Sequence, residues 1–199
     1  MYYTAAGGGA PLDLQAHRLR LPPAASSVLA ADLAAGDGAR ERCQALLAAL
    51  GRRGYARGWL PRAADAELSA ELARACTQLW VTPVSSDAAA RIGLRCAHLA
   101  NVAVDVSAAA RRAQSAFDLI VVSGFDAFSR PAELVAAALE LVPALAPHGE
   151  LIAIHALRPR ADRALHGDAV HHLLLEHLPL EWHAGEREPE YRIDRWGRA

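Results

Sequence analysis

The chain contains no lysine: all 21 of its basic residues are arginines, set against 22 Asp and Glu. The net charge of −1 leaves no basic field, which excludes the electrostatic footprint of a nucleic-acid binder. Cysteine is also sparse. Cys43, Cys76 and Cys96 are an odd number without Cys-x-x-Cys spacing, so they read as reduced, buried thiols of a cytoplasmic protein rather than as a disulfide framework. The first nine residues, Met1 to Gly9, have no positively charged start and no long apolar run, so neither a signal peptide nor a membrane anchor is expected. A Gly-x-Ser-x-Gly elbow is absent, and Ser123-Gly124 is too short a signal for a nucleophile. His166, His171, His172, His177 and His183 show neither His-x-x-x-His nor His-Glu-x-x-His spacing, so no metal site is expected.

What is present is a chain of 199 residues that are 53% hydrophobic, enough for one domain and an appendage. Residues 1–36, rich in Gly, Ala and Pro and broken by Pro22-Pro23 and Gly36-Asp37-Gly38, read as an irregular arm with one short helix at 26–35; residues 37–199 form the domain. Cys43, Leu46, Leu47 and Leu50 recur at helical spacing before Gly51. Apolar runs at 56–60, 78–82, 101–106, 117–123 and 150–155 then alternate with amphipathic segments at 65–75, 86–97 and 131–145. Such alternation, with near-continuous Val, Ile and Leu, marks a parallel sheet buried on both faces. A helix at 168–177 and two edge strands at 181–182 and 191–195 complete the expected architecture. It is a Rossmann-like α/β fold with a mainly parallel seven-stranded sheet, a C-terminal antiparallel hairpin and helices on both faces.

One further absence concerns the segment Trp59 to Ser69, which lies where a nucleotide-binding α/β protein carries its first cofactor loop. It holds no glycine. A backbone that turns sharply from strand to helix while admitting a ligand to its N–H groups normally uses glycine for positive φ and for the missing Cβ.

Phe117-Asp118-Leu119-Ile120-Val121-Val122-Ser123, Leu145-Ala146-Pro147-x-Gly149-x-Leu151, Gly167-Asp168-x-Val170-His171 and Tyr191-Arg192-Ile193-Asp194 occur in that order. In these pieces the chain resembles the NodS-type class I S-adenosylmethionine methyltransferases from about Ala39 to Arg195. The resemblance implies an enzyme that methylates an amino sugar or another small substrate. It also implies a first loop reading Leu-Glu-x-Gly-x-Gly-x-Gly, which falls here on Trp59 to Ala66. The acid position is Leu60 and the glycine positions are Arg62, Ala64 and Ala66. The carboxylate expected at the end of strand two falls on Pro83. The adenine-recognising position falls near Ser107, with Asp105 as a substitute, and the acid after strand four falls on Gly124.

From these losses no cofactor is expected, and the chain reads as a methyltransferase-like protein that has lost S-adenosylmethionine binding. It would then serve as a non-catalytic partner or scaffold of an active methyltransferase or another biosynthetic enzyme, or as a homo-oligomer. Two alternatives stand beside this. One is an active N- or O-methyltransferase that binds S-adenosylmethionine in an atypical site, and the other is a repurposed enzyme using the old substrate cleft without the cofactor. His155, Asp168 and His171 are the candidate catalytic residues, as base and orienter for an amine or hydroxyl. The same Asp168 also reads as a helix N-cap, with His171 in the first turn behind it.

Overall fold

The computed structural model describes residues 36–105, 117–158 and 164–198. Residues 1–35 of the arm, with its expected helix at 26–35, and Ser107 lie outside them, whereas Gly36-Asp37-Gly38, expected as a breaker, opens a helix. Helix α1 (Gly36–Ala49) leads into β1 (Tyr55–Ala63), α2 (Ala66–Arg74), β2 (Cys76–Pro83), α3 (Ser86–Arg95) and β3 (Val102–Val104). There follow β4 (Phe117–Val122), a 3-10 turn (Phe125–Ala127), α4 (Pro131–Leu139), a second 3-10 turn (Val142–Ala144) and β5 (Leu145–Ala156). Helix α5 (Gly167–His177) and the strands β6 (Glu181–Arg187) and β7 (Tyr191–Gly197) close the chain.

The sheet order is β3-β2-β1-β4-β5-β7-β6. Pairing is parallel through β5, and β7 runs antiparallel to both β5 and β6. Seven strands, a reversal of order between β1 and β4 and a terminal hairpin make this the expected Rossmann-like architecture. Alternate residues of one strand enter different cores, as period-2 geometry requires. Leu60, Val121 and Ile152 face α1, α2 and α3, while Trp59, Ile120 and Leu151 face α4 and α5. All three cysteines are buried with free thiols, and burial pushes Cys43 and Cys76 up to about 12 and Cys96 to about 11. No helix among the described residues is long and apolar enough to cross a membrane.

The structure departs from expectation at two elements. Strand β1 runs nine residues despite Arg57 and Gly58. The amides of Ala56 and Arg57 donate to the Asp118 carboxylate at 2.8 and 2.7 Å, and the Arg57 guanidinium lies 5.3 Å from the centre of the Trp80 ring. Gly58 leaves room for Cys76 Sγ, which a Cβ would meet at 2.5 Å. The helix expected over 131–145 stops at Leu139, and β5 begins at Leu145, ahead of Pro147.

Candidate functional site

In an open parallel sheet the crevice forms at the carboxyl ends of the strands where the order reverses, here between β1 and β4. Three strand ends meet there: Arg62 near the end of β1, Gly124 to Phe128 after β4, and His155 near the end of β5.

Arg62 has φ +53°, the left-handed conformation that glycine adopts freely and other residues adopt at a cost of about 1–2 kcal/mol. The loop thus keeps the glycine backbone while carrying an arginine side chain. That side chain crosses to the turn after β4, where its guanidinium carbon lies 4.2 Å from the centre of the Phe128 ring. Phe128 packs edge-on against Phe125 at 5.2 Å between ring centres. Gly124 closes the approach from the other side, since a Cβ there would lie 2.4 Å from the Arg62 carbonyl oxygen.

The remaining loop positions serve the fold. Leu60 is fully buried in the core, and Ala66 is buried as the first residue of α2. The Ala64 carbonyl accepts from Arg91 Nη2 at 3.4 Å. Asp65 caps α2, its Oδ1 accepting from the Leu68 amide at 3.0 Å. Pro83 ends β2 paired with Ala63. An acid not among the expected site positions, Asp126, lies two residues beyond Gly124 and is buried in the 3-10 turn. Its signal was simply an acid at an offset from the position where one was sought.

Of the candidate catalytic residues, the structure brings His155 and His171 together and leaves Asp168 apart from them. His155 Nδ1 lies 3.1 Å from His171 Nε2, and both rings are buried. Asp168 belongs to the first turn of α5, behind the N-cap His166, and its carboxylate pairs with Arg187 at 2.8 Å and Arg192 at 3.5 Å. These guanidinium partners, Arg187 first, hold its carboxyl below the usual carboxylate range. The carboxylate that does meet His171 is Asp194 of β7, 2.6 Å from Nδ1. It also accepts from Trp182 Nε1 at 3.1 Å and Arg192 Nε at 2.8 Å.

Register explains the exchange. β5 and β7 pair His155 with Arg192 and Ala153 with Asp194, so 155, 153, 192 and 194 share the face on which α5 packs. Tyr191-Arg192-Ile193-Asp194 was already visible as a motif, but nothing local links Asp194 to His171.

Burial favours the neutral form of His171 and lowers its pKa below 6.5, an effect that Asp194 opposes only in part. Burial pushes the Asp194 carboxyl up, but hydrogen bonds from His171 and Trp182 with the nearby Arg192 charge outweigh it and leave it below 3.8. Both groups bind fewer protons folded than unfolded below their ordinary values, so both make stability rise with pH there. The His171 contribution is complete above pH 6.5 and is lost as pH falls through its lower folded value; the Asp194 contribution is lost only below about 3.8. Thermal melts from pH 7.5 to 5 should therefore show a falling Tm, and a His171→Gln variant should show a shallower fall.

No protein-family model and no curated protein matches the chain. Solved structures do. A Pseudomonas syringae protein assigned to the methyltransferases is 30% identical over 80% of this chain and 98% of its own, with a TM-score of 0.68. The N-methyltransferase NodS from Bradyrhizobium japonicum WM9, in complex with S-adenosyl-L-homocysteine, is 21% identical over 83% and 90% of the two chains, with a TM-score of 0.69. Magnesium protoporphyrin IX methyltransferase from Synechocystis PCC 6803, with bound S-adenosylhomocysteine, is 14% identical over 81% and 84%, with a TM-score of 0.62.

The strand order and the crevice between β1 and β4 define a Rossmann-like methyltransferase fold. The chain belongs to the class I S-adenosylmethionine methyltransferases. Its likeness to NodS, at this identity, is one of fold. The expectation of no cofactor is thereby corrected: proteins of this fold are solved with S-adenosylhomocysteine and with S-adenosylmethionine.

The residues present do not reproduce the usual donor set, because Leu60 and Pro83 offer no carboxylate. Among the described residues, Arg62 stands at the crevice on an aromatic platform, Asp126 is buried in the turn after β4, and Asp105 directly follows β3.

Proposed function

We propose that this protein is a small-molecule methyltransferase that holds S-adenosylmethionine along the carboxyl edge between β1 and β4 through an altered set of contacts. The observation that carries this reading is the Arg62 backbone. A left-handed residue is retained at the turn from β1 to α2 although its side chain makes that conformation costly. Arg62 takes the place of the missing acid as the anchor of the amino acid moiety, with its planar guanidinium pairing the cofactor carboxylate. Asp105 receives the adenine amine in place of the residue expected at Ser107.

Bound S-adenosylmethionine supplies an electrophilic methyl group on a sulfonium sulfur. The Phe125 and Phe128 rings pack edge-on against each other beside the crevice, Phe125 within the core and Phe128 beneath Arg62. His155, one residue from the end of β5, and His171 behind it are buried beneath this turn with their ring nitrogens engaged, so they support the crevice rather than take the acceptor's proton.

Thermal unfolding with and without ligand tests this. Ligand at 100 times its Kd adds about 2.7 kcal/mol, which raises Tm by about 5–10 °C in a domain of this size. S-adenosylmethionine and S-adenosylhomocysteine should both give such a rise. No rise with either at millimolar concentration would overturn the reading.

A further inference from the structure

Between the C-terminal hairpin and the turn after β4 runs a buried chain of hydrogen bonds whose direction is fixed by its first member. A backbone N–H can only donate, and the Phe125 amide lies 3.3 Å from His155 Nε2. That nitrogen is therefore an unprotonated acceptor, and the proton of the His155 ring resides on Nδ1. Nδ1–H then donates to His171 Nε2 at 3.1 Å, which places the His171 proton on its own Nδ1, and this donates to Asp194 Oδ2 at 2.6 Å. His155, His171 and Asp194 are 1%, 0% and 2% exposed, so no water competes for these atoms. Asp194 accepts from Trp182, His171 and Arg192 together, which commits it as an ionised carboxylate. Each link leaves only one arrangement of protons, running from a strand of the hairpin to the crevice.

We propose that Asp194 and His171 are positioning residues that act through His155 on the turn Phe125 to Phe128, the turn that carries Asp126 and the aromatic platform under Arg62. The ionised Asp194 selects the His171 tautomer, His171 selects that of His155, and His155 Nε2 captures the Phe125 amide. Reversing one tautomer would set N–H against N–H at Phe125 and expel the turn. The ligand consequence of this inference rests on the crevice being the S-adenosylmethionine site, while the tautomer chain stands without it.

The test uses the full chain labelled with 15N. In the wild type, two-bond imidazole spectra should show His155 and His171 both protonated on Nδ1, with the Phe125 amide protected from hydrogen exchange. His171→Gln keeps the direction of the chain, because its amide oxygen accepts from His155 and its NH2 donates to Asp194. His171→Leu breaks it. The Phe125 amide should keep its shift and protection in His171→Gln and lose protection at least tenfold in His171→Leu. Affinity for S-adenosylhomocysteine should stay within about threefold in the first variant and fall at least tenfold in the second.

Wild-type His155 protonated on Nε2, or a Phe125 amide unchanged in His171→Leu, would overturn the proposal. If His171→Leu does not fold, the wild-type tautomers still decide it. Wild-type protein that shows both Nδ1–H tautomers but binds no S-adenosylhomocysteine would overturn the ligand reading and leave the positioning role standing.

Discussion

Replacing Asp194 with alanine should destabilise the protein by about 3–5 kcal/mol, the usual cost of removing one partner from a buried, hydrogen-bonded charge cluster. Three donors lose their acceptor at once: the His171 ring N–H, the Trp182 indole N–H and the Arg192 guanidinium. His171 is wholly buried and has no route to water, so its share of the penalty is the full desolvation cost of an unmet donor. Arg192 retains Asp168 at 3.5 Å, which limits its share. Urea unfolding should show the loss as a lower midpoint with an unchanged slope. Asp168→Ala is the control. That carboxylate is a third exposed and its closest partner, Arg187, lies at the surface, with Arg192 at 3.5 Å and His166 at 3.8 Å, so its removal should cost about 1 kcal/mol or less.

Gly124→Ala should be the second large effect, at about 1–3 kcal/mol, and its cause is purely steric. Gly124 sits at φ −124°, ψ 16°, a conformation open to alanine, so no backbone strain is added. The new Cβ would lie 2.4 Å from the Arg62 carbonyl oxygen, and that oxygen belongs to backbone already fixed by a left-handed turn. The turns after β1 and β4 must therefore move apart. The substitution should also disturb the stacking of Arg62 on Phe128, which an altered near-ultraviolet spectrum would report alongside the lower urea midpoint. Equal stability of Gly124→Ala and wild type would show that the two turns do not abut.

The fold was legible because its evidence is local and repeated. Apolar runs such as Leu119-Ile120-Val121-Val122 and Leu151-Ile152-Ala153-Ile154 admit few roles other than buried parallel strands, and their order leaves few topologies. β1 was harder to read because its support comes from elsewhere: Asp118 and Trp80 accommodate Arg57, and Cys76 fills the space beside Gly58.

The site was legible in part for the same reason. His155 and His171 stood out as histidines near a strand end and a helix start. Gly167-Asp168-x-Val170-His171 suggested a local acid for His171, but helical geometry turns Asp168 to the arginines of the hairpin. The acid that reaches His171 arrives from β7 through an antiparallel register that no short spacing encodes. In the loop that closes β1, residue type gave no sign that Arg62 adopts the left-handed backbone that glycine favours.

Calorimetric titration of S-adenosylhomocysteine into wild type and Arg62→Glu shows whether the cofactor binds and whether it binds at this turn. A Kd in the micromolar range, about −8 kcal/mol, is expected for wild type, and at least a tenfold weaker Kd for Arg62→Glu, where a carboxylate would face the carboxylate of the ligand. Absence of binding to wild type at millimolar ligand, or the same Kd in both proteins, would contradict cofactor binding at this turn.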